Sequence, residues 1–138
     1  MSRLTALQVM QDAPVIPVIV LNDVAHAVPM ARALVAGGIR MLEVTLRTPQ
    51  ALACIEAIAK AVPQAVVGAG TVRSRADAQA AANAGARFAV SPGYTSAVGQ
   101  ACRASRPTNQ LAECLNFSNA AGIETQNHRK SAFPVVLA

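Results

Sequence analysis

Apolar segments of strand length alternate with helical segments up to about residue 102, and this alternation constrains the fold more than any other feature. The centres of the four apolar segments recur about every 23 to 26 residues. Each is followed directly by a stretch of helical periodicity, which is typical of parallel βα units. The predicted strands are 15–21, 41–48, 65–71 and 88–92, and the predicted helices are 23–36, 49–61, 74–83 and 95–102. We expect Thr48 to cap the second helix and Ser74 to cap the third.

A short internal repeat supports the same organisation. The segments 38–41 and 85–88 share the order Gly-x-Arg-apolar immediately before a predicted strand. Their glycines, Gly38 and Gly85, fit the position after a helix that needs a positive φ. Four successive units, each strand followed by its own helix, favour a barrel-type progression over an open sheet, but the pattern by itself leaves both possible.

Composition and charge narrow the class of protein. Hydrophobic residues make up 53% of the chain, which suits helices packed on a parallel sheet. With no Trp and one Tyr, the chain lacks the aromatic surface of a base-stacking module, so we expect no nucleic-acid partner.

The net charge of +5 comes from basic residues that are scattered along the chain, and it fits a small anionic substrate at least as well as a polyanion. No stretch is long enough for a membrane span, and residues 1–12 resemble an amphipathic helix rather than a signal peptide.

The cysteines indicate a reducing compartment. Cys54, Cys102 and Cys114 are odd in number, far apart and in no metal-ligand spacing. We therefore expect reduced thiols in a cytoplasmic protein, and no metal site.

The segment 41–48 carries the candidate chemistry. Side chains alternate between the two faces of a strand, so every second residue shares a face. One face is apolar, and the other places an acid and a base near the carboxyl end of the strand, where α/β folds usually build active sites. The alternative is a structural Glu–Arg pair lining a core. The polar face consists of Met41, Glu43, Thr45 and Arg47.

Five sequence motifs lie at 15–19, 33–38, 42–48, 67–72 and 88–93. They resemble motifs of the class I (Schiff-base) aldolases that act on 2-keto-3-deoxy-6-phosphogluconate and 4-hydroxy-2-oxoglutarate. The resemblance is in the family's order and spacing and spans about residues 4–102. It implies a (β/α)8 TIM barrel, of which this chain carries roughly the first four βα units. It also implies a pyruvate-forming reaction without metal or cofactor, and a trimeric assembly.

The resemblance assigns a role to individual residues. Glu43 matches the carboxylate that shuttles protons during imine formation and carbon–carbon cleavage. Arg47 matches the guanidinium that binds the substrate carboxylate, and Thr71 matches a hydroxyl that helps to hold the pyruvyl end. Gly68 and Gly70 are expected to keep the third strand slim, so that substrate can approach its backbone.

Other segments match the family only in part. The loop Ser91-Pro92-Gly93 resembles the one that closes the family's site after the fourth strand. The family's Schiff-base lysine on the sixth strand, and its glycine-rich phosphate site on strands seven and eight, have no counterpart here. Lys60 and Lys130 are the only lysines, and neither has the family's sequence context.

The composition changes abruptly after residue 103. We predict two parts: the N-terminal half of an aldolase-type barrel, 1–103, and an atypical tail, 104–138, produced by a frameshift or truncation. Within the tail, 110–119 could form a short helix. The segment 133–138 could form a terminal strand, which Pro134 would confine to a sheet edge.

These observations lead to an expected function and two alternatives. The family implies an aldehyde-lyase acting on a small 2-keto acid, but we expect this chain to be inactive because the lysine segment is missing. One alternative is a non-catalytic half-barrel that self-associates through two open sheet edges or pairs with a full-length relative. Another is a different sugar-phosphate barrel, in which the backbone of 68–71 cradles phosphate.

Overall fold

The structure is a parallel sheet in which a helix connects each of the first four strands to the next. It is a computed structural model that describes residues 11, 13, 15–93, 95–104, 114–116 and 135–137. The strands are β1 (Val15–Ile19), β2 (Met41–Thr45), β3 (Val66–Gly70), β4 (Ala89–Ser91), β5 (Cys114–Asn116) and β6 (Val135–Leu137). The helices are α1 (Ala27–Ala36), α2 (Ala51–Ala61), α3 (Arg75–Asn83) and α4 (Ser96–Ala104), with a 3-10 turn, Val24–His26, ahead of α1.

The order of strands across the sheet follows the order along the chain for β1 to β5. The sheet reads β5-β4-β3-β2-β1-β6, and every pairing is parallel. The strands β2 and β3 pair over their whole length, from Met41 beside Val66 to Thr45 beside Gly70. This arrangement confirms the predicted α/β fold with four successive βα units. It also brings the carboxyl ends of β2 and β3 side by side.

The two faces of the sheet differ as the alternation predicted. On the helix side, Leu42 and Val44 of β2 belong to the same buried cluster as Ile55 and Ile58 of α2. On the opposite side, a smaller apolar cluster is built around Phe88. Its other fully buried members are Ala13, Ile16, Met41 and Val90.

Local signals at the helix ends are also confirmed. Ser74 caps α3 by accepting a hydrogen bond from the backbone N–H of Asp77, whose carboxylate accepts one in return from the Ser74 N–H. This reciprocal pair is a capping box. Gly38 and Gly85 have φ values of 89° and 96°, the left-handed conformation expected after α1 and α3.

The predicted cap of the second helix is wrong. Helix α2 begins at Ala51, and Gln50 precedes it without a side-chain cap. The hydroxyl of Thr48, expected to be that cap, instead donates to the backbone carbonyl of Leu21 at 2.5 Å. The registered pairing of β1 with β2 ends at Ile19, so this carbonyl lies beyond the ladder and takes its hydrogen bond from a side chain.

The short helix predicted for 110–119 is also wrong, because residues 114–116 form β5, parallel to β4. The terminal segment pairs with β1 as β6 and lies at the sheet edge, as predicted. The two edges expected to be open, those of β1 and β4, are therefore each paired by a strand from the tail. Unpaired main-chain groups at a sheet edge favour such pairing, even where the local pattern suits a helix.

Two further predictions lie wholly or mostly outside the described residues: the N-terminal amphipathic helix of residues 1–12 and the surroundings of Lys130. Within the described part of the chain, no helix is both long and apolar enough to cross a membrane.

Candidate active site

Glu43 is a buried carboxyl group in the middle of β2. Its exposed fraction is 4%, and among the described residues Arg47 is the charged group that influences its ionisation. Burial raises the pKa of Glu43 from 4.5 to about 7, and the positive charge of Arg47 opposes part of that rise. Glu43 therefore exchanges its proton near neutral pH, which is the range that general acid–base chemistry needs.

Glu43 and Arg47 do not form the structural ion pair that was the alternative interpretation of this segment. The salt bridge found among the described residues joins Lys60 to Glu56 on the surface of α2. Arg47 thus acts on Glu43 through its charge, without a salt bridge between them.

Arg47 lies just beyond the end of β2, where it meets Thr71 just beyond the end of β3. Its Nε donates to the Thr71 hydroxyl oxygen at 3.3 Å. Thr71 has a φ of 59°, an uncommon left-handed conformation for a β-branched residue. The backbone on either side is held by hydrogen bonds from Leu46 N to Gly70 O at 2.9 Å and from Val72 N to Val90 O at 3.0 Å. Such strain, fixed by its surroundings, is typical of functional sites.

Thr45 lies on the same face as Glu43 but has a different task. Its side chain is buried, and its hydroxyl donates to the Ile19 carbonyl at 3.2 Å. Together with the bond from Thr48 to Leu21, this contact fastens the end of β1 to β2. The sequence pattern did not separate this structural threonine from the polar residues of the site.

The two glycines of β3 face side chains of this chain. A Cβ atom at Gly70 would lie 2.8 Å from Cδ of Glu43, and one at Gly68 would lie 2.5 Å from Cδ2 of Phe88. The space above each glycine is thus occupied by a side chain of this chain, Phe88 at Gly68 and Glu43 at Gly70. The approach of substrate or phosphate to this backbone stays a prediction. Two glycines at alternate positions of a strand do signal close approach, but not the identity of the approaching group.

The loop after β4 closes upon itself. The hydroxyl of Ser91 donates to the Gly93 carbonyl at 2.6 Å and accepts from the Gly93 N–H at 3.3 Å. Ser91 is fully buried. The segment 91–93 is thus a tight turn at the same end of the sheet as Arg47 and Thr71, and its part in closing the site stays a prediction.

No lysine joins this group of side chains within the described residues. Lys60 lies on α2, exposed and paired with Glu56. The part of the chain that is described also lacks any cluster of three His, Cys, Asp or Glu side chains able to hold a metal ion.

The structure is a parallel α/β protein in which a buried acid lies within one strand, and a guanidinium and a hydroxyl follow the carboxyl ends of that strand and its neighbour. Residues 7–124 match the family model "KDPG and KHG aldolase". The chain belongs to the KDPG and KHG aldolase family.

Characterised relatives and solved structures agree with this assignment. The chain is 55% identical to the KHG/KDPG aldolase of Escherichia coli K12 over 93 residues, which are 67% of this chain and 44% of that protein. It is 54% identical to the 2-dehydro-3-deoxy-phosphogluconate aldolase of Pseudoalteromonas atlantica over 94 residues, 68% of this chain and 44% of that one.

Two solved structures have the same fold. The 2-keto-3-deoxy-6-phosphogluconate aldolase of Zymomonas mobilis ZM4 with 3-phosphoglycerate superposes with a TM-score of 0.70 and 50% identity, covering 78% of this chain and 49% of that one. The KDPG aldolase of Legionella pneumophila, with pyruvate captured as a covalent carbinolamine, superposes with a TM-score of 0.70 and 40% identity. This match covers 79% of this chain and 50% of that one. The chain spans less than half the length of the two curated relatives described above.

Proposed function

We propose that the protein is a class I aldolase of the 2-keto-3-deoxy-6-phosphogluconate or 4-hydroxy-2-oxoglutarate type, which forms pyruvate and an aldehyde. Within it, this chain supplies the half of the site that binds the keto-acid carboxylate and moves its proton. The observation that carries the proposal is a buried Glu43 with a pKa of about 7, on the strand that leads to the Arg47–Thr71 hydrogen bond.

The Arg47–Thr71 contact leaves suitable donors for a carboxylate. Arg47 uses Nε for Thr71, so its two Nη groups are the donors left for a planar, two-point contact with the substrate. Thr71 accepts that bond with its oxygen, so its own O–H proton is available to a second acceptor. A guanidinium and a hydroxyl donor side by side suit the carboxylate of a 2-keto acid.

Glu43 suits the proton transfers of the cleavage. When the C2 carbonyl is held as an imine, a base removes the proton from the C4 hydroxyl and the C3–C4 bond breaks. The aldehyde leaves, and the resulting enamine takes a proton at C3. A carboxyl group with a pKa of about 7 can accept the first proton and supply the second near neutral pH.

The imine itself needs an amine, and we infer that this chain alone does not form it. The described lysine, Lys60, is exposed on α2 and bound to Glu56. When catalytic residues act together, removal of the nucleophile abolishes nearly all of the reaction rate. We also propose that the chain divides into an aldolase part, 1–103, and an unrelated tail, 104–138.

Borohydride trapping tests this directly. The folded chain is mixed with pyruvate and borohydride, and its intact mass is measured. We expect no reduced pyruvyl adduct. An adduct that disappears in Lys130→Arg but persists in Lys60→Arg would show that a tail lysine forms the imine, and would contradict the inactivity we infer.

A non-catalytic half-barrel that associates with itself or a relative is the second candidate. It is favoured by the open sheet of the described strands, in which β5 and β6 each have one neighbour. Sizing with light scattering tests it, because a monomer with a cooperative melt would contradict it.

Assembly and location follow from the aldolase proposal. We propose the trimer of the family as the assembly and the cytoplasm as the compartment. Among the described residues, Cys54 is a buried free thiol, as a reducing compartment would leave it.

A further inference from the structure

We propose that Gly70 is a positioning residue for Glu43: the missing side chain of Gly70 creates the seat that holds the Glu43 carboxyl group against β3. The seat is a geometric feature of the folded chain, and its catalytic meaning rests on the proton-transfer role proposed above for Glu43.

The seat lies diagonally from Glu43. In the register of β2 with β3, Glu43 is beside Gly68, and Thr45 is beside Gly70. Yet a Cβ atom at Gly70 would lie 2.9 Å from Cγ and 2.8 Å from Cδ of Glu43, and closer still to Oε1. The Glu43 side chain therefore leans two residues toward the carboxyl end of β3, which is the end that carries Thr71.

The position directly beside Glu43 is already occupied. The ring of Phe88, entering from the β4 side, covers Gly68, where a Cβ atom would lie 2.5 Å from both Cδ2 and Cζ. Phe88 is fully buried and belongs to the apolar cluster with Met41. The two glycines thus receive two different side chains: a ring at Gly68 and a carboxyl group at Gly70.

The backbone around the seat has little freedom to move. The Gly70 carbonyl accepts from Leu46 N, and the preceding residue, Ala69, donates to the Phe88 carbonyl at 3.0 Å. The following residue, Thr71, is held at a φ of 59°. A methyl group added at Gly70 therefore displaces the Glu43 side chain rather than β3.

Displacement of the Glu43 carboxyl group from its seat is expected to favour its charged form. The flanking strands β1, β3 and β4 carry no ionisable side chain, so Arg47 is the charged group that acts on Glu43 among the described residues. We expect the displaced carboxyl group to become less buried and to move toward Arg47, which follows the carboxyl end of β2. Both changes stabilise the carboxylate, so the pKa of Glu43 falls.

The test is the titration of Glu43 in Gly70→Ala, followed by the NMR shift of its 13C-labelled carboxyl carbon without any substrate. Glu43→Gln identifies the signal. We expect the pKa to fall from about 7 toward 4.5, by about one unit or more. Gly68→Ala is the matched control, because it adds the same methyl group to the same face of β3 but meets Phe88. It should leave the Glu43 titration close to that of the parent chain.

An unchanged Glu43 titration in Gly70→Ala would overturn the proposal, as would an equal shift in Gly68→Ala. If Gly70→Ala does not fold, the double variant Glu43→Ala with Gly70→Ala shows whether the added methyl group conflicts with the Glu43 side chain. Recovery of folding shows that the conflict is with the Glu43 side chain, and failure to fold in both backgrounds contradicts the proposal. None of these readouts uses pyruvate. A chain with the expected titration that binds no keto acid would refute the aldolase function but not the seat.

Discussion

Replacing Glu43 by Gln is expected to change how the stability of the fold depends on pH. In the folded chain the pKa of Glu43 is raised to about 7, whereas the unfolded chain ionises near the ordinary value of 4.5. Between these values the folded state binds more protons than the unfolded state, so the free energy of unfolding falls as pH rises. The stabilisation is complete below about pH 4.5 and is lost as pH rises through about 7.

The size of the effect follows from the two pKa values. They differ by about 2.5 units, and each unit corresponds to about 1.4 kcal/mol. The parent chain should therefore lose about 3 kcal/mol from this group between pH 4.5 and pH 8. The Gln variant has no proton to release at this position, so it should not lose this part of its free energy of unfolding. The variant's stability relative to the parent should thus rise by about 3 kcal/mol across this range.

Urea unfolding at several pH values, followed by far-UV circular dichroism, measures this difference, since the chain has no Trp and one Tyr. The control is Glu56→Gln, an exposed glutamate on α2 with a side-chain exposure of 52%. The difference in unfolding free energy between this variant and the parent chain should change little between pH 4.5 and pH 8. If the difference in unfolding free energy between Glu43→Gln and the parent chain does not change with pH, or changes in the opposite direction, burial does not raise the pKa of Glu43.

Three further substitutions can be checked by the same unfolding measurement. Thr71→Gly should be more stable than Thr71→Ala by about 1 kcal/mol, because glycine tolerates the left-handed φ; the reverse order would mean that Thr71 is not held there. Thr45→Val should cost about 1 kcal/mol through the lost bond to the Ile19 carbonyl, and a neutral result would remove its structural role. Ser74→Ala should cost about 1 kcal/mol by breaking the capping box, which equal stability would contradict.

Local features of this fold were predictable from the sequence. The cap at Ser74 and the left-handed glycines Gly38 and Gly85 depend on residues within one turn of each other, so a short pattern contains the whole interaction. The alternation of β2 depends on strand geometry alone, which places Leu42 and Val44 in the helix-side core.

Interactions between distant segments were not predictable in the same way. Thr48 is a typical cap residue, but its hydroxyl binds Leu21, a carbonyl 27 positions away in the chain. The partner of Gly70 depends on how far the Glu43 side chain leans, which pairing register alone does not give. The segment 114–116 has no local strand signal, and it forms β5 where it pairs with the edge of β4.

We propose that Arg47 and Thr71 form a carboxylate-binding site for a keto acid, and saturation-transfer NMR can measure the binding of pyruvate to the folded chain. Arg47→Lys, which keeps the charge but loses the planar fork, should weaken pyruvate binding by about tenfold. Arg73→Lys, an equally conservative change at an exposed arginine beyond the site, should leave pyruvate binding unchanged. Equal affinity in all three chains, or an equal loss in both variants, would show that the guanidinium of Arg47 does not bind the carboxylate.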